Sequence, residues 1–149
     1  MSLDLKDEAA TEALGARIAG LLRTGDAVLL SGPLGAGKTA LARSILRALG
    51  VTGHVPSPTF TLVQSYDTPG LNVRHFDLYR LENERDLAEL GLEDALEDGA
   101  ILVEWPERAD GLFPDTALSV ALTPTTDSGR NARLIGDARW ARLADAKHE

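Results

Sequence analysis

The chain has 149 residues, no cysteine and a formal net charge of −8. That length suits one domain with a sizeable core, here taken as 1–149. The lack of thiols excludes disulfides, thiolate catalysis and cysteine-based metal sites. The acidic balance speaks against direct nucleic-acid binding, because no basic patch offsets phosphate repulsion.

In chain order, residues 3–5 read as a short edge strand. Glu8–Leu22 carries Leu14, Ile18, Leu21 and Leu22 on one face, an amphipathic helix ending near Gly25. Ala27–Leu30 is a short apolar run after a turn, as in a buried parallel strand. A second helix follows Thr39, with Leu41, Ile45, Ala48 and Leu49 at helical spacing and Gly50 as its stop. The two prolines of the 53–59 segment mark a loop. Phe60–Tyr66 reads as a strand, Asp67–Gly70 as a turn, and Asn72–Asp77 as the next strand. Glu82–Leu96 is helical in period, with a break at Gly91. Ala100–Val103 is a central strand that delivers Glu104 at its end. Thr116–Thr123 and Ala132–Ile135 form a strand pair across a polar loop, and Asp137 caps a closing helix to Lys147. Strands alternating with helices predict a single α/β domain.

Gly32-Pro33-Leu34-Gly35-Ala36-Gly37-Lys38-Thr39 spells G-x-x-x-x-G-K-[ST], the phosphate-binding loop. Its glycines permit a tight turn and close approach, and its N–H groups, with those of Ala40 at the helix start, cradle phosphates. Lys38 is expected to reach the β/γ-phosphates and Thr39 to ligate Mg²⁺. The loop lies between a strand and a helix, the context the motif requires, so a bound nucleoside triphosphate is expected.

Turnover also needs an acid at a strand end. Asp77 and Glu104 both qualify, one as Mg²⁺ ligand and the other orienting the attacking group; residue type leaves their roles interchangeable. No N-K-x-D or D-x-x-G motif marks a guanine site, which leaves ATP. Trp105 reads as a packing residue beside Glu104, and His75 as an ordinary strand residue rather than a base. Arg80, Arg85 and Arg108 are candidate charge stabilisers, more ordinary as solvated ion-pair partners. The absence of a basic, apolar leader or of ~20 consecutive apolar residues points to a cytoplasmic protein off the membrane.

Four blocks, Gly32–Thr39 (GPLGAGKT), Ser57–Val63 (SPTFTLV), His75–Leu81 (HFDLYRL) and Val103–Pro106 (VEWP), together resemble the bacterial TsaE family in order and spacing. The resemblance spans roughly Thr11 to Leu122. It implies a P-loop NTPase fold, three layers with a mostly parallel central sheet flanked by helices. It also implies a weak ATPase of tRNA threonylcarbamoyladenosine synthesis, activated by the TsaD–TsaB pair, which itself meets the tRNA. Carried onto this chain, Thr11 lies near the adenine, and Lys38 grips phosphates. Thr39 ligates Mg²⁺, Ser57 and Thr59 form a switch near the γ-phosphate, and Asp77, Glu104 and Trp105 complete the site. Two rival readings use the same loop: a small-molecule kinase, for which the chain has little length to spare, and a nucleotide-gated docking protein that does not hydrolyse.

Overall fold

The computed structural model describes every residue except His54, Ser57, Thr59, Phe60, Thr61, Asp110, Asp127, Ser128 and Glu149, and every described side chain except those of Glu84 and residues 144–148. Seven strands form one sheet: β1 (Ser2–Leu5), β2 (Ala27–Ser31), β3 (Val63–Thr68), β4 (Leu71–Asp77), β5 (Gly99–Glu104), β6 (Leu118–Pro124) and β7 (Arg130–Ile135). Their spatial order is β1-β7-β6-β2-β5-β4-β3. The four central strands, β6, β2, β5 and β4, run parallel. The outer strands are added antiparallel, β3 on β4, β7 on β6 and β1 on β7.

Helices α1 (Glu8–Leu21) and α2 (Lys38–Ala48) cover one face, and α3 (Glu84–Glu89) and α4 (Leu92–Asp98) the other. The period-2 alternation of the strands divides the core between them. Val28, Leu30, Leu102 and Val120 pack with Leu14 and Ile18 of α1 and Leu41 and Ile45 of α2. Ala27, Ile101, Val103 and Phe76 pack with Leu87 of α3 and Leu92 and Ala95 of α4. Covered on both faces, β5 is buried along its whole length, which is why its sequence reads as an unbroken apolar run. At about 25 cal/mol per Å² of apolar surface, this two-sided burial is the main force holding the layers together.

The expected elements appear with three differences. The Glu82–Leu96 period resolves into two short helices that meet at Gly91, and the Asn83 side chain caps the first by accepting from Arg85 N at 3.0 Å. Of the strand expected from Phe60, the described part begins at Val63, after Leu62 in a left-handed backbone (φ 68°) that is not a strand conformation. It continues to Thr68, so only Pro69 and Gly70 make the hairpin turn. The closing helix forms over Ala138–His148 as a 3₁₀ helix, with Asp137 Oδ1 accepting from Arg139 N. Residues 60 and 61 of the expected strand lie outside the described residues, as does part of the polar loop before β7.

Candidate nucleotide-binding site

The two helices on the β1–β2 side begin differently. Asp7 caps α1, its Oδ1 accepting from Ala10 N at 2.9 Å. At the N-terminus of α2 stands Gly37, left-handed at φ 102°, and no side chain caps the helix. The leading N–H groups of α2 therefore face the loop with no carboxylate on them, as an anion site requires. Gly32 is equally constrained: a Cβ there would lie 2.4 Å from the Leu122 carbonyl oxygen.

Lys38 opens α2 and is almost fully buried. Its Nζ donates to the carbonyls of Gly32 (2.6 Å) and Pro33 (2.9 Å) and sits 4.0 Å from the centroid of the Trp105 ring. Burial lowers its ammonium below the ordinary 10.5, against the opposing attraction of Glu104, Glu107 and Asp77. A phosphate group would add a direct, charge-assisted partner where Nζ now donates to neutral carbonyls.

The acids arrive on adjacent strands. Asp77 and Glu104 are register partners at the carboxyl ends of β4 and β5, where ligands gather in open α/β sheets. Glu104 Oε1 accepts from the Thr39 hydroxyl at 2.8 Å, and its Oε2 lies 2.7 Å from His75 Nε2. Asp77 Oδ1 accepts from Tyr79 N at 3.0 Å. Trp105 leaves β5 at φ 62°, a left-handed turn that costs a non-glycine residue about 1–2 kcal/mol. That turn faces the indole toward Lys38 and sets it against Tyr79, with ring centroids 4.9 Å apart.

These residues enclose a cavity of about 350 Å³. Leu34, Gly35, Gly37, Lys38, Thr39 and Ala40 form one wall. Asp77, Tyr79, Arg80, Glu104 and Trp105 form the other. Of the remaining expected residues, Gly32 and Pro33 hold the lysine through their carbonyls. Ala36 is buried, its N–H bonded to Pro33 O. Thr11 does not line this cavity; it is buried on α1, and its Oγ1 has no hydrogen-bond partner among the described residues. Because β1 and β2 point the same way, the N-terminal ends of α1 and α2 lie at the same end of the sheet, Thr11 and Ala40 among them. Ser57 and Thr59 lie outside the described residues.

Three residues at the site escaped the sequence reading. His75 touches Glu104, Tyr79 stacks on Trp105, and the Arg130 guanidinium lies across Gly37, its Nη1 2.1 Å from where a Cβ would stand. Arg130 Nη1 is buried without a hydrogen-bond partner among the described residues. Nothing in the local sequence marks Arg130, because β7 reaches the loop only through its pairing with β6.

Residues 5–132 match the family model described as threonylcarbamoyl adenosine biosynthesis protein TsaE. The chain belongs to the TsaE family. Among its curated relatives, the tRNA threonylcarbamoyladenosine biosynthesis protein TsaE of Rickettsia felis is 37% identical over 144 residues, 96% of this chain and 84% of that protein. The Streptomyces coelicolor protein of the same name is 41% identical over 136 residues, covering 86% and 92%. The crystal structure of YdiB from Bacillus subtilis superposes with a TM-score of 0.80 at 26% identity, across 99% of this chain and 95% of that one. As a TsaE-family member, the chain serves tRNA threonylcarbamoyladenosine biosynthesis.

Proposed function

We propose that this TsaE-family chain binds ATP with Mg²⁺ and hydrolyses it, slowly alone and faster on a TsaD–TsaB pair. The observation that carries the reading is the Thr39–Glu104 hydrogen bond, 2.8 Å long, at the mouth of an uncapped phosphate loop. It joins the loop's hydroxyl to a strand-end carboxylate, the two hard oxygen donors that an Mg²⁺–phosphate complex takes from P-loop enzymes. The set fits Mg²⁺, which takes one or two protein oxygens and completes its shell with phosphates and water. Among the described residues no three His, Cys, Asp or Glu side chains cluster as a self-sufficient metal cage. When bound, the ion would neutralise β- and γ-phosphate charge.

The chain's own groups divide the remaining work. Lys38 exchanges its carbonyl partners for phosphate oxygens, and Asp77, beside Glu104 in register, orients the attacking water. Thr11 Oγ1, buried and without a hydrogen-bond partner among the described residues, serves the adenosine end of the nucleotide. Arg130 Nη1, buried against Gly37 and without a hydrogen-bond partner among the described residues, serves as a donor to the phosphates. Ser57 and Thr59 serve as the γ-phosphate switch. Cytoplasmic placement follows from work on tRNA, and among the described residues no helix is long and apolar enough to cross a membrane. With a net charge of −8, the chain leaves the tRNA to its partners and docks on a basic face of them.

Steady-state hydrolysis of Mg-ATP, alone and with the same organism's TsaD–TsaB, tests the reading, with Lys38→Ala as control. Stimulation by the pair that the variant loses supports it. A phosphorylated small-molecule acceptor would establish the kinase reading. ATP-dependent docking that persists in a Glu104→Ala variant, without turnover in the native chain, would establish the docking reading.

A further inference from the structure

We infer that His75 is the positioning residue for Glu104: it holds one carboxylate oxygen so that the other stays on Thr39 and the metal side of the phosphate loop. The inference rests on the reading of Glu104 as a group that serves Mg²⁺.

Register places the pair. In the β4–β5 ladder His75 stands opposite Leu102 and Asp77 opposite Glu104, so His75 and Glu104 are diagonal neighbours on one face. That face is the α2 side, where Val73 and Leu102, two residues before each, join the core under α2. Both side chains are buried, with His75 fully inaccessible. The Nε2–Oε2 distance is 2.7 Å, and Thr39 Oγ1 stands 2.8 Å from Oε1. Among the described residues each carboxylate oxygen therefore has its own partner, and neither can rotate without breaking a buried hydrogen bond.

The hydrogen bond also fixes the imidazole. A carboxylate oxygen accepts, so Nε2 carries the hydrogen and donates. Nδ1 has no hydrogen-bond partner among the described residues. The ring thus spends its one observed hydrogen bond on Glu104. A valine or leucine would fill this strand position with no buried polar atom to satisfy, so packing gives no reason for a histidine there. Orienting a metal-serving carboxylate from outside the ligand set does give one.

The test is calorimetric binding of adenylyl-imidodiphosphate, in EDTA and across an Mg²⁺ titration, to the native chain and to His75→Leu, His75→Gln, His75→Asn and Glu104→Gln. A Gln amide nitrogen can reach the Nε2 position, while Asn is one methylene shorter. The inference expects His75→Leu to raise the half-saturating Mg²⁺ about tenfold or more, the usual scale for loss of such a partner. Affinity in EDTA should stay within about twofold, and His75→Gln should restore most of the Mg²⁺ response. An unshifted response in folded His75→Leu, with Glu104→Gln shifted, overturns the inference and leaves the Glu104 reading standing. No shift in Glu104→Gln removes that reading and the inference with it. If His75→Leu does not fold, the comparison of Gln with Asn decides: Gln near native and Asn impaired supports positioning, and equal behaviour overturns it.

Discussion

Lys38 Nζ lies 4.0 Å from the centroid of the Trp105 ring, so the loop's cation is held between two of its own carbonyls and an indole face. Such a contact is worth roughly 0.5–2 kcal/mol when partly desolvated, enough to hold the side chain yet less than a phosphate ion pair offers. Nucleotide binding must therefore change the surroundings of Trp105. We expect ATP to alter tryptophan emission in a Trp140→Phe variant, where Trp105 is the remaining indole, and to leave emission unchanged in Trp105→Phe. Fluorescence titration of the two variants checks this.

Removing the lysine should cost more than removing the ring. Lys38→Ala deletes a charge-assisted interaction worth about 1.5–3 kcal/mol, a loss of roughly 10- to 100-fold in ATP affinity. Equilibrium binding by calorimetry gives the number directly, with thermal unfolding as a check that the fold persists.

The lysine also predicts a pH dependence with a defined sign. In the free protein burial holds its ammonium below 10.5, and bound phosphates would favour the charged form and raise it. Binding then takes up protons in the pH window between the lowered value of the free protein and the raised value of the complex. Apparent ATP affinity is full below that window and falls as pH rises through it. Calorimetry in buffers of different ionisation enthalpy should show proton uptake in the native chain and none in Lys38→Met.

Gly37 faces two constraints that a double variant separates. A Cβ would strike the Arg130 guanidinium at 2.1 Å, and φ 102° is a backbone angle that L side chains rarely adopt. The guanidinium is a flexible tip that can swing away; the backbone cannot. Gly37→Ala should lower stability by about 1–2 kcal/mol and weaken nucleotide binding. Adding Arg130→Ala should relieve the clash and leave the backbone cost, so rescue is partial. Denaturant unfolding of the single and double variants tests this, and full rescue would show that the clash alone mattered.

Away from the nucleotide, the Arg139 guanidinium grips both Asp26 carboxylate oxygens, donates to Leu21 O at 2.7 Å and lies over Trp140. It ties the closing 3₁₀ helix to the end of α1 and the start of β2. Arg139→Ala should cost about 1–3 kcal/mol of stability by leaving a buried carboxylate without its cation. The Mg²⁺ dependence of nucleotide binding should not move, since Asp26 lies at the opposite end of β2 from the phosphate loop.

Legible in the sequence were the G-x-x-x-x-G-K-T loop between its strand and helix, and the place of Asp77 and Glu104 at strand ends after apolar runs. These signals are local: a glycine pattern, a period of 2 or 3.6, and a charge at the end of a buried strand. It also carried the TsaE resemblance, because four short blocks keep their order along the chain. What it could not determine was which side chains meet across strands. His75 reads as one more residue of an alternating strand until the β4–β5 register sets it two positions from Glu104 on the α2 face. Nothing local marks Arg130 until the β6–β7 pairing lays it on Gly37, 93 positions earlier in the chain. Trp105 reads as packing until a left-handed turn faces its ring toward Lys38. Local propensity acts over a few bonds, whereas sheet register and layer packing are set by burying apolar faces together, so these partnerships come from the tertiary arrangement.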